Sequence, residues 1–491
     1  MPARPTTPDR PRRRRLPALA LLLAILLATT LAGDAGRGGT RAVAAVLPVP
    51  PGSDALLVQP RAGVSVEALA AGLAAQGYSV LADGAAAAAG AVRVAVPAGA
   101  DPAALADAIA RSGLARGVEP DLELRATLVP NDAAYARQAP YLEVIRAPAA
   151  WDRATGDGAT LIAIVDSGLD YNHPEFAGRL ALNPDDRFGN GRDDDANGCP
   201  DDVAGCSFVS PLAADPACGY TSEAPHWNAS DDAGHGTVVA GIAAAAGDDG
   251  IGIAGVDWDA RILPVKVLDC TGVGRISTAA AGIRYAAARG AHVINISLGT
   301  TSDSRVLREA VEAAQASGAL IVASAGNVPG VVTYPGAYPG VIAVAASGAI
   351  TAAGLDYGRI AGFSGSGPAI DLMAPGQQIA APLPVQLCDS DGWQCEEPGY
   401  TRASGSSFAA ALVAGAAALV HADRGLSAPL TRGVLLAALQ HTDPASPGLL
   451  DVAAALEQPL FGVAAPGTAR ASDPGGPGDP GDPGDVVAPH E

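Results

Sequence analysis

Methionine is almost missing from this chain: its 491 residues hold two, Met1 and Met373. Positive charge is also short, with 31 Lys and Arg against 51 Asp and Glu, a formal net charge of −20. Residues 1–44 alone carry +6, so the rest holds −26, which argues against a nucleic acid as partner. Charged residues make up only 17% and hydrophobic ones 49%, too apolar a mixture for a mostly disordered protein. No pair of cysteines stands as C-x-x-C, so a metal site of that kind is absent. There is no internal repeat, and after residues 16–32 no second apolar run of that length follows.

What is present begins with an export signal. Arg12 to Arg15 precede the apolar run over 16–32, which ends in small residues, the pattern of a cleaved signal peptide. The run is slightly short for a membrane span and has no cysteine near its end for a lipid anchor, so a secreted product without a stable membrane anchor is expected. Export fits the six cysteines, Cys199, Cys206, Cys218, Cys270, Cys388 and Cys395. Six allow 15 connectivities; Cys388 with Cys395 is the favoured pair because the two bracket a short loop.

The chain divides by composition into a signal peptide (1–32), a linker (33–53), a small domain (54–126), a large domain (127–461) and a tail (462–491). The tail is rich in Gly, Pro and Asp and reads as disordered. The small domain alternates extended and helical stretches: 56–58, a helix at 66–75, 78–81 and 92–96, a helix at 102–110, then 118–124. That β-α-β-β-α-β order is ferredoxin-like. In the large domain, 262–268, 292–297, 320–324 and 341–346 predict buried parallel strands, with helices at 278–288 and 304–317 between them. This is the alternation of a doubly wound α/β fold.

Chemistry concentrates at three places. Residues 404–420 read S-G-S-S-F-A-A-A-L-V-A-G-A-A-A-L-V: a glycine turn at Gly405, one hydroxyl at Ser407, then a run apolar enough to predict a buried helix. Free N–H groups and the positive dipole end at such a helix start suit a developing oxyanion, although a serine there is by itself usually a cap. Residues 162–168, I-A-I-V-D-S-G, predict a buried strand ending at Asp166, where open α/β sheets place their sites. Residues 234–237, G-H-G-T, put His235 at the start of a helix over 238–245. Alone, Asp166 is a turn residue and His235 a structural histidine. In the chain order Asp, His, Ser they match one known order of catalytic triads.

From about residue 130 to 460 the chain resembles the subtilisin-type serine proteases, the subtilases. The likeness rests on Asp166-Ser167-Gly168 followed by His173-Pro174, on His235-Gly236-Thr237-Val238-Val239-Ala240-Gly241, and on Gly405-Ser406-Ser407-Phe408-Ala409. Three positions depart from it: the family usually has Thr at Ser406, Met at Phe408 and Pro at Ala411. A Pro so near a helix start occupies a position whose N–H is unbonded anyway, so Ala411 costs the fold little.

The resemblance implies a subtilisin-like doubly wound parallel sheet with helices on both faces, in a secreted serine endopeptidase. Ser407 would be its nucleophile, His235 its base and Asp166 the acid that orients His235. Asn327, in S-A-G-N, would join the Ser407 N–H as oxyanion donor. Substrate would add as a strand to Ser297, Leu298 and Gly299 and to Gly272, Val273 and Gly274. Thr333 would lie near the floor of the first side-chain pocket, with no acid placed there, so uncharged apolar side chains are expected before the cut. By the same likeness, residues 54–126 are an inhibitory propeptide, with V-E-P-D at 118–121 as its closing phrase. The enzyme would remove it near 125–131, and the product is expected to be a monomer.

Residues 190–202, N-G-R-D-D-D-A-N-G-C-P-D-D, carry oxygen ligands at alternate positions around a glycine, as EF-hand-like calcium loops do. Asp193, Asp195, Asn197 and Asp201, with Asp202 beside them, are the expected ligands of a structural calcium ion. Ala204 stands where a full EF-hand has Glu, and a solvated acidic loop is the alternative. No organic cofactor is expected. An α/β-hydrolase esterase would need G-x-S-x-G and Ser ahead of His, and neither holds. A catalytically silent subtilase-fold protein, secreted to bind calcium or a partner, would need a damaged site, and all four catalytic positions are filled.

Overall fold

In a computed structural model, the described residues are 45–47, 49, 53–122, 128–212, 214–222, 225–390, 392–441 and 446–460. The expected signal peptide, most of the expected linker, the expected tail and residues 125–127 of the expected cleavage region lie outside them. The chain forms two compact units, Met1–Leu124 and Arg125–Glu491.

In the first unit, strands β1 (Ala45–Val46), β2 (Ala55–Pro60), β3 (Val92–Ala95) and β4 (Ala115–Pro120) form one sheet in the order β1-β4-β2-β3. Helices α1 (Val66–Ala75), α2 (Gly84–Ala88) and α3 (Pro102–Arg111) connect them. Ser65 caps α1, and Asp101 caps α3 ahead of Pro102, so two side chains satisfy N–H groups that helices leave open. Leu56, Val58, Leu69, Leu73, Val94 and Ile109 close a small core. The expected strand at 78–81 is reduced to one bridge, Val80 with Val94, and Leu81 is exposed. Just after it, Asp83 caps the alanine-rich α2. The last strand stops at Pro120, short of the expected 124.

The second unit begins with α4 (Tyr135–Leu142) and α5 (Ala147–Trp151) and is built on an eight-stranded sheet. Its strands are β5 (Leu161–Asp166), β6 (Cys206–Ser207), β7 (Arg261–Lys266), β8 (Val293–Ile296), β9 (Leu320–Ser324), β10 (Ile342–Thr351), β11 (Gly354–Ile360) and β12 (Leu372–Pro375). The order is β11-β10-β9-β8-β5-β7-β6 with β12 on β10, parallel throughout except for the β10–β11 pair. From β5 the chain passes through α6 (His235–Ala244) to β7 on one side, then through α7 (Ile276–Ala288) to β8 on the other. That reversal is the switch point at which open sheets leave a crevice at their carboxyl ends.

Successive residues of β5 point to opposite faces. Ile162 and Ile164 enter the core made with α6 and α9 (Ser406–Arg424), while Ala163 and Val165 enter the one made with α7 and α8 (Arg305–Ala316). Helix α9 is buried continuously from Ser406 to Val420. It is long and apolar enough to cross a membrane, but burial on this scale makes it a core helix. Gly415 lets α9 lie against α6: a Cβ there would stand 2.5 Å from the Ala243 carbonyl oxygen. A second, three-stranded sheet combines β13 (Ile379–Pro382), β14 (Cys395–Glu397) and β15 (Tyr400–Ala403), and helices α10 (Ala428–Ala437) and α11 (Val452–Glu457) finish the unit. The disulfides are Cys199–Cys206, Cys218–Cys270 and Cys388–Cys395.

Candidate active site

Asp166 ends β5 fully buried, and its Oδ1 accepts a hydrogen bond from His235 Nδ1 at 2.8 Å and one from the Ser167 N–H at 2.7 Å. His235 opens α6 behind Gly234, whose φ of 88° is the left-handed region that glycine enters without strain. Strand and helix are tied together through Asp231, a residue that motif reading does not find. Its carboxylate accepts from Ser167 Oγ, Gly234 N, Thr237 N and Thr237 Oγ1, all within 2.8 Å, and Ser167 Oγ in turn accepts from Gly236 N. Burial pulls the His235 pKa down, but the charge and hydrogen bond of Asp166, with Asp231 behind, outweigh it and hold the imidazole above its ordinary value.

Lys266, the only lysine in the chain, supports the same strand end: its buried Nζ donates to the Ser167 carbonyl and to Asp232 Oδ1, each at 2.6 Å.

Ser407 lies in the first turn of α9, where its N–H has no intrahelical acceptor. Its hydroxyl donates to the Ser297 carbonyl at 3.0 Å, and Ser297 Oγ donates back to the Ser407 carbonyl at 2.9 Å. The next residue, Phe408, packs its ring on that of His235 with centroids 5.5 Å apart. Asn327 follows β9, and its Oδ1 accepts from both Ser406 N (2.9 Å) and Ser406 Oγ (3.0 Å). That fixes the amide's orientation, and its Nδ2, beside Gly405, has no acceptor among the described residues. Ser406 departs from the family pattern only by lacking the threonine methyl; its hydroxyl braces Asn327.

A cleft of about 420 Å³ is lined by His235, by Gly272–Val273–Gly274 and by Ser297–Leu298–Gly299. Among the described residues no acid lines it, and one cation, Arg275, does. Thr333 is buried between Gly299 and Gly326: a Cβ at either would stand under 3 Å from its side chain.

The acidic loop is arranged differently from its spacing. Carboxylate oxygens of Asp186, Asp193 and Asp195 lie within 4.8 Å of one another, and Asp186 comes from outside the expected motif. Asp201 turns instead to the N–H groups of Asn190 and Gly191, and Asp202 is fully buried against Tyr285, Arg289 and Asn183. Asn197 Oδ1 accepts from the Cys199 N–H. The loop's own N–H groups hold Asp201 and Asn197, while Tyr285 and Arg289, from a distant helix, hold Asp202, which a local repeat of oxygens cannot reveal. A second acidic group has no motif at all. Asp132 Oδ1 and Glu175 Oε2 are buried with no partner among the described residues. Burial first, and then Asp249 and Asp132, push Glu175 up to about 8.

A strand-end carboxylate on an imidazole, with a serine in the first turn of a helix whose next residue packs on that imidazole, fits the class of serine hydrolases in which a histidine activates a hydroxyl. Comparison with known proteins agrees. The profile of the subtilase family matches residues 157–454, and the chain belongs to that family. It is 35% identical over 307 residues to thermitase of Thermoactinomyces vulgaris, which covers 62% of this chain and 90% of that protein. It is 34% identical over 292 residues to subtilisin amylosacchariticus of Bacillus subtilis subsp. amylosacchariticus, covering 58% and 62%. Among solved structures, a protease of Pseudoalteromonas arctica PAMC 21717 aligns with a TM-score of 0.54 and 25% identity, over 67% of this chain and 99% of that one. The protein is a serine endopeptidase.

Proposed function

We propose that Asp166, His235 and Ser407 are its catalytic triad. The observation that carries this is the 2.8 Å contact of His235 Nδ1 with buried Asp166, which leaves Nε2 as the proton-accepting nitrogen. Ser407 Oγ turns from the Ser297 carbonyl toward Nε2, attacks the peptide carbonyl and gives up its proton. His235 returns that proton to the leaving amine, and water then releases the acyl group from Ser407. Asn327 Nδ2 and the Ser407 N–H stabilise the negative oxygen. The acyl half of the substrate lies along Ser297–Gly299 and Gly272–Gly274, with an uncharged side chain near Thr333. The enzyme is secreted and is made as a precursor whose first unit is an inhibitory propeptide that it removes itself.

The test is the pH profile of kcat/KM on one peptide substrate. Because His235 must be neutral to accept a proton and its pKa is raised, activity should fall as pH drops through a midpoint above the ordinary 6.5. Asp231→Asn should move that midpoint down. A profile with no inflection in the imidazole range would exclude His235 as the base.

Calcium is the proposed structural ion. Asp186, Asp193 and Asp195 offer three hard oxygens already oriented by backbone N–H groups, and Asp132 Oδ1 and Glu175 Oε2 are two further buried oxygens with no partner among the described residues. The ion would neutralise mutually repelling carboxylates and take no part in the chemistry. At a hundredfold excess over Kd it adds about 3 kcal/mol. EDTA should therefore lower Tm by about 5 °C or more, with recovery on adding calcium. An unchanged Tm would leave both groups merely acidic.

Phe408 carries another expectation. Phe408 is buried against the imidazole, and a methionine in its place would, on oxidation to the sulfoxide, put a larger polar group beside the reacting atoms. Phe cannot react so, and Met373 is fully buried in β12. Timed peroxide exposure followed by initial rates should inactivate Phe408→Met several-fold faster than the wild type. Equal inactivation would move the weak point elsewhere.

A further inference from the structure

We propose that the disulfide-closed loop from Cys388 to Cys395 builds a pocket for the substrate residues that follow the scissile bond, and that this pocket selects a basic side chain. The inference rests on Ser407 being the nucleophile. A second cavity, of about 680 Å³, is lined by Asp389, Ser390, Trp393, Thr401, Arg402 and Phe408, among others. It shares no residue with the cleft between Gly272–Gly274 and Ser297–Gly299. Yet both adjoin the reacting centre: His235 lines the first, and Phe408, whose ring lies on His235, lines the second. A polypeptide whose acyl half fills the first cleft has the second in which to place its leaving half.

The walls of this pocket are fixed. Trp393 Nε1 donates to the Ala233 carbonyl at 2.8 Å, two residues before His235. Its indole covers Gly234, where a Cβ would stand 3.0 Å from Nε1. The loop is closed by Cys388–Cys395, and Ser390 Oγ donates to the Leu387 carbonyl. Trp393 is therefore a pinned aromatic wall that continues the loop bearing the base.

Charge decides which side chain fits. The Arg402 guanidinium is held by Glu396 at 2.8 Å, and Arg137 bridges Glu396 and Glu397. Asp389 is exposed and has no cationic partner among the described residues. A lysine or arginine side chain can lay its methylenes against Trp393 and Phe408 and bring its cation to Asp389. A glutamate there meets an acid instead, in a chain of net charge −20.

The experiment uses the secreted active enzyme and internally quenched peptides identical up to the cut, with Arg, Lys, Leu or Glu at the first or second position after it. The wild type should show a kcat/KM ratio of Arg to Glu of at least about fivefold at one of these positions. Asp389→Lys should bring that ratio below one, and Trp393→Ala should narrow the spread among all four. The ratio is read within each variant, so any overall loss of activity cancels. A p-nitroanilide of the same acyl peptide, which has no residue after the cut, separates the two readings. If Ser407→Ala cleaves this anilide as fast as the wild type does, the assignment of Ser407 falls and this pocket with it. If that variant is inactive but the wild-type ratio is near one, or survives Asp389→Lys, the pocket proposal alone is wrong.

Discussion

Ser407→Ala is expected to lower peptide hydrolysis by about 10⁶-fold, a magnitude measured on a subtilisin and transferred to this chain. The change removes one oxygen from a side chain that is 8% exposed, and alanine is at least as good a helix former as serine at the start of α9. With that oxygen goes its hydrogen bond to the Ser297 carbonyl, an acceptor that also lies at the open cleft. Stability should therefore fall by no more than about 1 kcal/mol. A serine endopeptidase that removes its own first unit cannot do so without a nucleophile. The alanine variant should accumulate as a longer species, and N-terminal sequencing should place its start before residue 54. Adding active enzyme should shorten it. Residual casein hydrolysis near the wild-type rate would exclude Ser407, whereas normal maturation with no other protease present would exclude self-processing alone.

Asn327→Leu is expected to lower kcat by about 10²–10³ with little change in KM, again a magnitude established on a subtilisin. Two roles of Asn327 must be separated, because its oxygen accepts from Ser406 while its nitrogen is the proposed donor. Asn327→Asp keeps an acceptor for Ser406 and removes the donor. If stabilisation of the oxyanion is the role, the aspartate variant should be at least as slow as the leucine variant, since it also places negative charge where negative charge develops. Recovery of kcat in Asn327→Asp would mean that the residue only braces Ser406.

How far the residues alone reveal the molecule differs by element. The β-branched run 162–165 and the apolar run 408–420 announce a strand and a helix because each signal is local and strong, and β5 and α9 occupy those places. Asp166, His235 and Ser407 stand out for another reason: each lies within two residues of a glycine, and Gly168 and Gly234 take left-handed backbone. The stretch 78–81 looks extended but has one bridge only, because strand formation depends on a neighbour's edge, which its own residues do not reveal. Glu175 and the task of Ser406 stay hidden because their partners lie far along the chain, Asp231 because its bond to Ser167 does, and Asp186 because it stands just outside the spaced motif whose carboxylates it joins. Of the disulfides, Cys388–Cys395 is singled out by its short loop, Cys199–Cys206 closes a loop of the same separation of 7 without being singled out, and the 52-residue span of Cys218–Cys270 has no local sign.

The position of β5 has a consequence for how the chain is made. It is the first strand of the large sheet in sequence, yet it lies inside, hydrogen-bonded on one edge to β7 and on the other to β8. Both partners leave the ribosome about a hundred residues or more after it. Until then Ile162, Ile164 and Val165 have nothing to pair with, and two open strand edges are exposed to other nascent chains. Closing loops of that length precedes any gain from pairing, so assembly of the sheet is entropically uphill at its first step and slow. The aspartate that orients the base is thus translated early and set in place late.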